Sequence, residues 1–247
     1  SCLSCFAPVH GTVDDSVHEW EAIPSFYSDS TRVFQMARIP RQKRAIATAD
    51  AIVEVGFLCV ALHGVSGTTT NHIAEMAGIS VGSLYEYYRS KEDIYAAMQQ
   101  RMVTDAVAVI EPLVNEVARL DIHDAVKTLL RHFEVFLQDN DSRYLKYAQS
   151  SLSVSLRLQL EPLVKLLQEL VMRYVMQHPE YMRMAHIPTM SYIMINGGIF
   201  IVLRHLSDPN PPIRFNELIE GLANMVSHYA NNEMALAESS AKRTGVL

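Results

Sequence analysis

With 247 residues the chain has room for one large domain or two. Hydrophobic residues make up 49% and mean hydropathy is +0.06, enough to bury a core and too much for intrinsic disorder. Gly and Pro number ten each, below the usual ~12% combined share, so turns are scarce and a β-sandwich or barrel is disfavoured. The net charge of −6 excludes a polybasic nucleic-acid coat but leaves room for a localised DNA-reading site.

Residues 1–35 hold five acids against one base, Arg32. Arg38, Arg41, Lys43 and Arg44 then follow Met36 with no acid among them. Two readings of residues 1–37 stay open: an upstream extension before a start at Met36, or a weakly ordered arm. Cys2 and Cys5 form a C-x-x-C, but no second pair follows at zinc-site spacing, and three cysteines cannot build a disulfide framework. Cys59 falls in an apolar helical pattern and reads as core. The amino end has no secretory pattern. The longest uncharged stretch, Ile187 to Leu203, falls short of the ~20 apolar residues of a membrane span. No nucleophile motif, phosphate loop, dinucleotide fingerprint or H-E-x-x-H occurs. The expectation is a cytoplasmic non-enzyme with no metal, cofactor or membrane partner.

After the head, nearly everything scans as helix. Ile46, Ala49, Val53, Phe57 and Val60 recur at three- and four-residue steps, predicting a helix from about 41 to 63 that Gly64, Ser66 and Gly67 break. Short helices are expected at 71–77 and 81–87. Ser90-x-x-Asp93 caps a longer one carrying Ile94, Met98, Met102 and Ile110, ended or bent by Pro112. Further helices are expected at 122–138, 142–157, 162–177, 188–206 and 214–231, with Asp208-Pro209-Asn210-Pro211-Pro212 as the strongest punctuation. The fold class is all-α.

Residues 69–88 meet the requirements of a helix-turn-helix. Ile73 and Ala77 can face inward from the first helix, and Ala74 is small where the helices cross. Gly78 stands where the turn needs a left-handed backbone. Ile79 and Leu84 fill the space between, and Ser80 can cap the second helix. Tyr88 reads as part of the small core.

The run Gly78-Ile79-Ser80-Val81-Gly82-Ser83-Leu84-Tyr85, with Tyr88 and Ser90-Lys91-Glu92 after it, is similar to the signature of the TetR family of bacterial transcriptional regulators. Thr69-x-x-x-Ile73-Ala74 and the basic lead-in helix match as well, so the resemblance covers about residues 41–95. It implies a three-helix DNA-binding domain (residues 38–90) with a helix-turn-helix. A larger helical effector-binding and dimerisation domain (91–232) and a tail (233–247) would follow. Two subunits would read a pseudo-palindromic double-stranded operator, with repression as the family default. By motif, Thr69 and Lys91 would hold phosphates at helix starts. Ser80, Val81, Gly82 and Ser83 would approach base edges, with Tyr85 and Tyr87 on backbone or thymine methyls. Asn71 could reach a base or phosphate, and Arg38, Arg41, Lys43 and Arg44 would add salt-dependent attraction or minor-groove contact. Two departures bear on these roles: Val81 stands where the family often has a polar residue, and Glu86 is acidic on the reading helix.

The stretch 187–206 is apolar around most of its circumference and needs two partners. Paired with 214–231, it fits the four-helix homodimer interface the family uses. The candidates are Met194, Gly197, Gly198, Ile201, Leu218, Leu222, Met225 and Tyr229. The resemblance further implies a cavity for a small apolar or amphipathic effector, with Met102, Phe133, Phe136, Tyr144, Tyr147, Met172, Tyr174 and Met176 as lining candidates. Arg131, His132 and Arg157 could serve an anionic ligand instead. The rival reading is a helical interaction protein of the same fold without operator binding.

Overall fold

A computed structural model describes residues 43–153 and 160–244, and every regular element among them is helical. The Cys2–Cys5 pair, Met36, Arg38, Arg41 and Arg157 lie outside the described residues.

The first four helices are α1 (Lys43–Gly67), α2 (Thr70–Met76), α3 (Val81–Tyr87) and α4 (Lys91–Ile110). Side-chain caps define three of their starts. Thr69, Ser80 and Ser90 each accept a backbone N–H three residues on, from His72, Ser83 and Asp93. The α1 stripe buries Ala49, Val53, Phe57 and Val60, whereas Ile46, at the outer end, is half exposed. Gly64 interrupts the helix with φ 69°, inside the Gly64–Gly67 segment where the sequence calls for a break. The last turn of α1 is held from two sides. Ser150 Oγ accepts the Val65 N–H at 2.7 Å, and the Tyr95 hydroxyl donates to the Val65 carbonyl at 2.7 Å.

A 3₁₀ turn at Glu111–Leu113, started by Pro112, leads into α5 (Val114–Val117). There follow α6 (Ile122–Ser153), α7 (Glu161–Gln177), α8 (Ile187–Ser207) and α9 (Phe215–Thr244). Where two helices are expected, 122–138 and 142–157, one long helix runs to Ser153. Asp141 and Ser142 in it have φ of 57° and 56°, so the gap in the apolar pattern survives as a local left-handed distortion. The run Glu233-Met234-Ala235-Leu236-Ala237-Glu238 lacks Gly and Pro, and α9 continues through it to Thr244 rather than ending near 231.

α6 packs on α1, α4, α8 and α9, so the small front domain and the bundle share a core rather than meeting at a linker. Ile52 and Phe57 of α1, Leu84 of α3, Met98 of α4, Tyr147 of α6 and Val202 of α8 belong to that one buried cluster. A second cluster gathers Val117, Ala125, Leu170, Tyr174, Tyr181 and Ala230 at the far end. By length and composition alone α1 and α8 could each cross a membrane. In this fold α1 is a core helix, with Ile52, Phe57 and Cys59 fully buried.

Candidate nucleic-acid interface and effector cavity

The turn between α2 and α3 is built as the residues require. Gly78 adopts φ +67° with no atom within 4 Å of where a Cβ would stand, so the requirement is conformational and not steric. The Ile79 N–H returns to the Ala74 carbonyl at 3.0 Å. Ile73, Ala74 and Leu84 are fully buried and hold the two helices together. Tyr88 is 2% exposed and donates to the Ala49 carbonyl at 3.3 Å, which fixes the end of α3 against α1. Burial pushes its hydroxyl up to about 12.

With Leu84 anchored, α3 turns Gly82, Tyr85 and Glu86 outward. Ser80 is exposed at its amino end, where its Oγ accepts the Ser83 N–H and donates to Ser83 Oγ, both at 3.0 Å. Tyr85 is 46% exposed, its hydroxyl 3.4 Å from Thr70 Oγ1. Val81 and Tyr87 are half-buried against the core. Thr69, which caps α2, and Asn71 are exposed on the same short helix, and Lys43 and Arg44 are exposed at the start of α1. Lys91 is half-buried. Its ammonium donates to the Thr68 carbonyl at 3.1 Å and stands 5.5 Å from the Tyr95 ring centre, leaving further N–H donors. Arg89, absent from the sequence-based candidates, is exposed just beyond α3. Its position between the reading helix and Ser90 was the available signal.

A cavity of about 260 Å³ lies in the bundle among α6, α7, α8 and α9. Of the eight lining candidates, Phe133 and Tyr174 lie in its wall. Met102, Phe136, Tyr144 and Tyr147 are buried in the core beside it, and Met172 and Met176 are exposed on α7. Several residues assigned to the dimer face also line the cavity: Met194, Gly198, Leu222, Met225 and Tyr229. Leu218 is buried within the subunit, while Gly197 and Ile201 are exposed. Neither Arg131, paired with Glu134 at 3.0 Å, nor His132, whose Nδ1 meets the Thr128 carbonyl at 2.8 Å, is in the wall.

An aromatic column leaves this cavity toward the front domain. Phe133, in the wall, stacks on Phe136 at 6.3 Å between ring centres, and Phe136 stacks on Tyr144 at 5.0 Å. Tyr144 meets the Phe57 ring of α1 edge-on at 5.1 Å, and its hydroxyl donates to Asp105 of α4. Beside it Arg143 pairs with Glu54 of α1, which also receives Arg101 of α4 at 3.2 Å. Side chains of α1, α4 and α6 therefore interlock at one junction. Asp141 and Ser142 lie in the stretch of α6 that Phe136 and Tyr144 bracket. Among the described residues, one group with metal-ligating atoms comes together, Asp121, His123 and Asp124. Asp121 caps the start of α6, accepting the His123 and Asp124 N–H groups.

Residues 52–98 match the family model for bacterial regulatory proteins of the tetR family, spanning α2, α3 and the adjoining parts of α1 and α4. About three quarters of the chain is similar in fold to several solved regulators. The fatty acid degradation regulator FadR from Bacillus halodurans is 18% identical with a TM-score of 0.56, aligned over 72% of this chain and 93% of that one. A Mesorhizobium loti MAFF303099 protein, named as a TetR-family transcriptional regulator, is 14% identical with a TM-score of 0.53 over 76% and 97%. AibR, solved with isovaleryl coenzyme A and operator DNA, is 15% identical with a TM-score of 0.50 over 72% and 97%. At such identities the likeness establishes a shared all-α architecture.

Proposed function

From the premise that this chain carries a TetR-family DNA-binding domain, we propose that it is a ligand-responsive transcriptional regulator. It would bind a pseudo-palindromic operator as a homodimer, act as a repressor in the cytoplasm, and release DNA when the bundle cavity is filled. The observation that carries this reading is α3. Its inner side is anchored by Leu84, and Ser80, Gly82 and Tyr85 are exposed along it, beside Thr69 and Asn71 of the preceding helix. A helix held this way can enter a major groove with its amino-terminal residues at the base edges. Gly82 permits close backbone approach and Ser83 can donate or accept. Thr69, Lys91, Lys43, Arg44 and Arg41 are assigned to phosphates, with Asn71 on a base or phosphate.

The homodimer is assigned to the outer face of α8 and α9. Ile193, Gly197, Phe200 and Ile201 recur along α8 at helical spacing, and Ile193 and Phe200 are 52% and 60% exposed. With half-exposed Met225 of α9 they make an apolar surface of the kind that marks association. At Gly197 nothing lies within 4 Å of a built Cβ, leaving room for a partner helix.

Ligand in the cavity presses on Phe133 and so on the column to Phe57, while α4 links the cavity's Ile110 to the front domain. Only a difference in ligand affinity between two arrangements of this junction can change DNA affinity, typically by ~1–3 kcal/mol. The rival interaction-protein reading draws on two features: Glu86 sits exposed on α3, and Val81 is turned partly into the core. Selection of bound fragments from random duplex DNA at several salt concentrations separates the two. Enriched inverted half-sites with steep salt dependence support the regulator. No enrichment even at low salt refutes it and favours the rival.

A further inference from the structure

We infer that the bundle cavity takes an uncharged lipophile in preference to anionic amphiphiles. This rests on reading the cavity as the effector site, and it names the ligand's chemistry from the wall. Among the described residues the wall contains no charged side chain, no histidine and no side-chain amide; its polar atoms are the hydroxyls of Ser191, Tyr174, Tyr181 and Tyr229. Two of these are already committed within the protein. Ser191 Oγ donates to the Ile187 carbonyl at 2.7 Å, and the Tyr174 hydroxyl to the Leu120 carbonyl at 3.2 Å. Burial pushes the three tyrosine hydroxyls upward, so they stay neutral around pH 7.

A carboxylate or phosphate in this wall would leave water without a counter-charge, a loss the remaining hydroxyls cannot make good. Along α6, Arg131 is paired with Glu134 and Lys127 with Glu220. An alcohol, ketone or ester group can be held by one neutral hydrogen bond. Met184, Met190, Met194 and Met225 in the wall add flexible thioethers, so affinity follows apolar area more than exact shape.

The test is titration calorimetry of the full chain at neutral pH with octan-1-ol, octanoate and octanoyl coenzyme A. Octan-1-ol is expected to bind once per subunit, with octanoate at least about tenfold weaker and octanoyl coenzyme A weaker still. From hexan-1-ol to octan-1-ol, affinity should rise roughly fourfold per methylene. Gly198→Leu and Val126→Phe each place bulk at the wall and are expected to weaken octan-1-ol at least about tenfold. The inference is overturned if octanoate or its coenzyme A ester binds as tightly as the alcohol, if the alcohol does not bind, or if neither variant weakens it. Duplex selection with unliganded protein reads the regulator hypothesis separately. Operator binding combined with an octanoate preference sinks only the ligand class, whereas octan-1-ol binding without any selected duplex sinks only the regulator.

Discussion

Replacing Phe136 by Leu is expected to separate effector binding from its consequence at the DNA. Phe136 is 8% exposed and sits between two rings, stacked on Phe133 at an interplanar angle of 19° and on Tyr144 at 28°. It is not itself in the cavity wall. Leucine keeps most of the apolar burial and loses two ring contacts worth ~0.5–1.5 kcal/mol each, so stability should fall by about 1–3 kcal/mol. For a chain of this length that is a drop of roughly 2–12 °C in melting temperature. Octan-1-ol affinity should change by no more than about threefold, because the wall is intact. A full effector response of 1–3 kcal/mol corresponds to roughly 5–150-fold in operator affinity, and the ring contacts removed are of comparable size. The response should therefore shrink to below about threefold. Fluorescence anisotropy of a labelled duplex recovered by selection, with and without saturating octan-1-ol, reads this directly. Val135→Leu, on the exposed side of the same helix, is the control. An undiminished response in Phe136→Leu, with ligand demonstrably bound, refutes the column as the route of coupling.

Gly78→Ala meets no atom within 4 Å, so any cost is the left-handed backbone alone; urea unfolding should show a loss of about 1–2 kcal/mol, and an unchanged midpoint would remove the conformational argument. Burial raises the hydroxyls of Tyr88, Tyr95 and Tyr147 to about 12, above their ordinary value near 10. The folded state thus holds protons that the unfolded chain releases, so stability is fully present below pH 10 and is lost between pH 10 and 12. Denaturant midpoints followed through that window should fall, and a flat profile would contradict it. Phe200→Glu on the outer face of α8 should convert a dimer to monomer in sedimentation equilibrium, an outcome that fails if the mass is unchanged. Lys43→Ala should weaken all duplexes alike and lower the salt slope by about one, whereas a change in sequence preference would place Lys43 at a base.

The front domain was legible because its signals are local. A glycine before Ile79-Ser80, hydroxyls three residues ahead of an N–H that needs a partner, and apolar residues at helical steps each act within a few positions. The turn at Gly78, the caps at Ser80 and Ser90, and the bounds of α3 could therefore be read directly. The same logic located the break at Gly64, but it split 122–157 into two helices where one helix runs through a local distortion at Asp141–Ser142.

Tertiary structure alone decided which apolar residues pack, which line empty space and which face outward. Met102, Phe133, Phe136 and Met176 carry the same periodic signature in the sequence. Met102 and Phe136 are core, Phe133 bounds a cavity, and Met176 is 73% exposed. The face a helix buries is set by neighbours far away in the chain, and a cavity exists only where several helices fail to fill a space together. For that reason Leu222, Met225 and Tyr229, an unbroken α9 stripe in the sequence, turn out to border the space between α9 and its neighbours. The joining of α1 to α6 through Glu54, Phe57, Arg143 and Tyr144 was equally hidden, because contacts between residues so far apart in sequence leave no periodic trace in it.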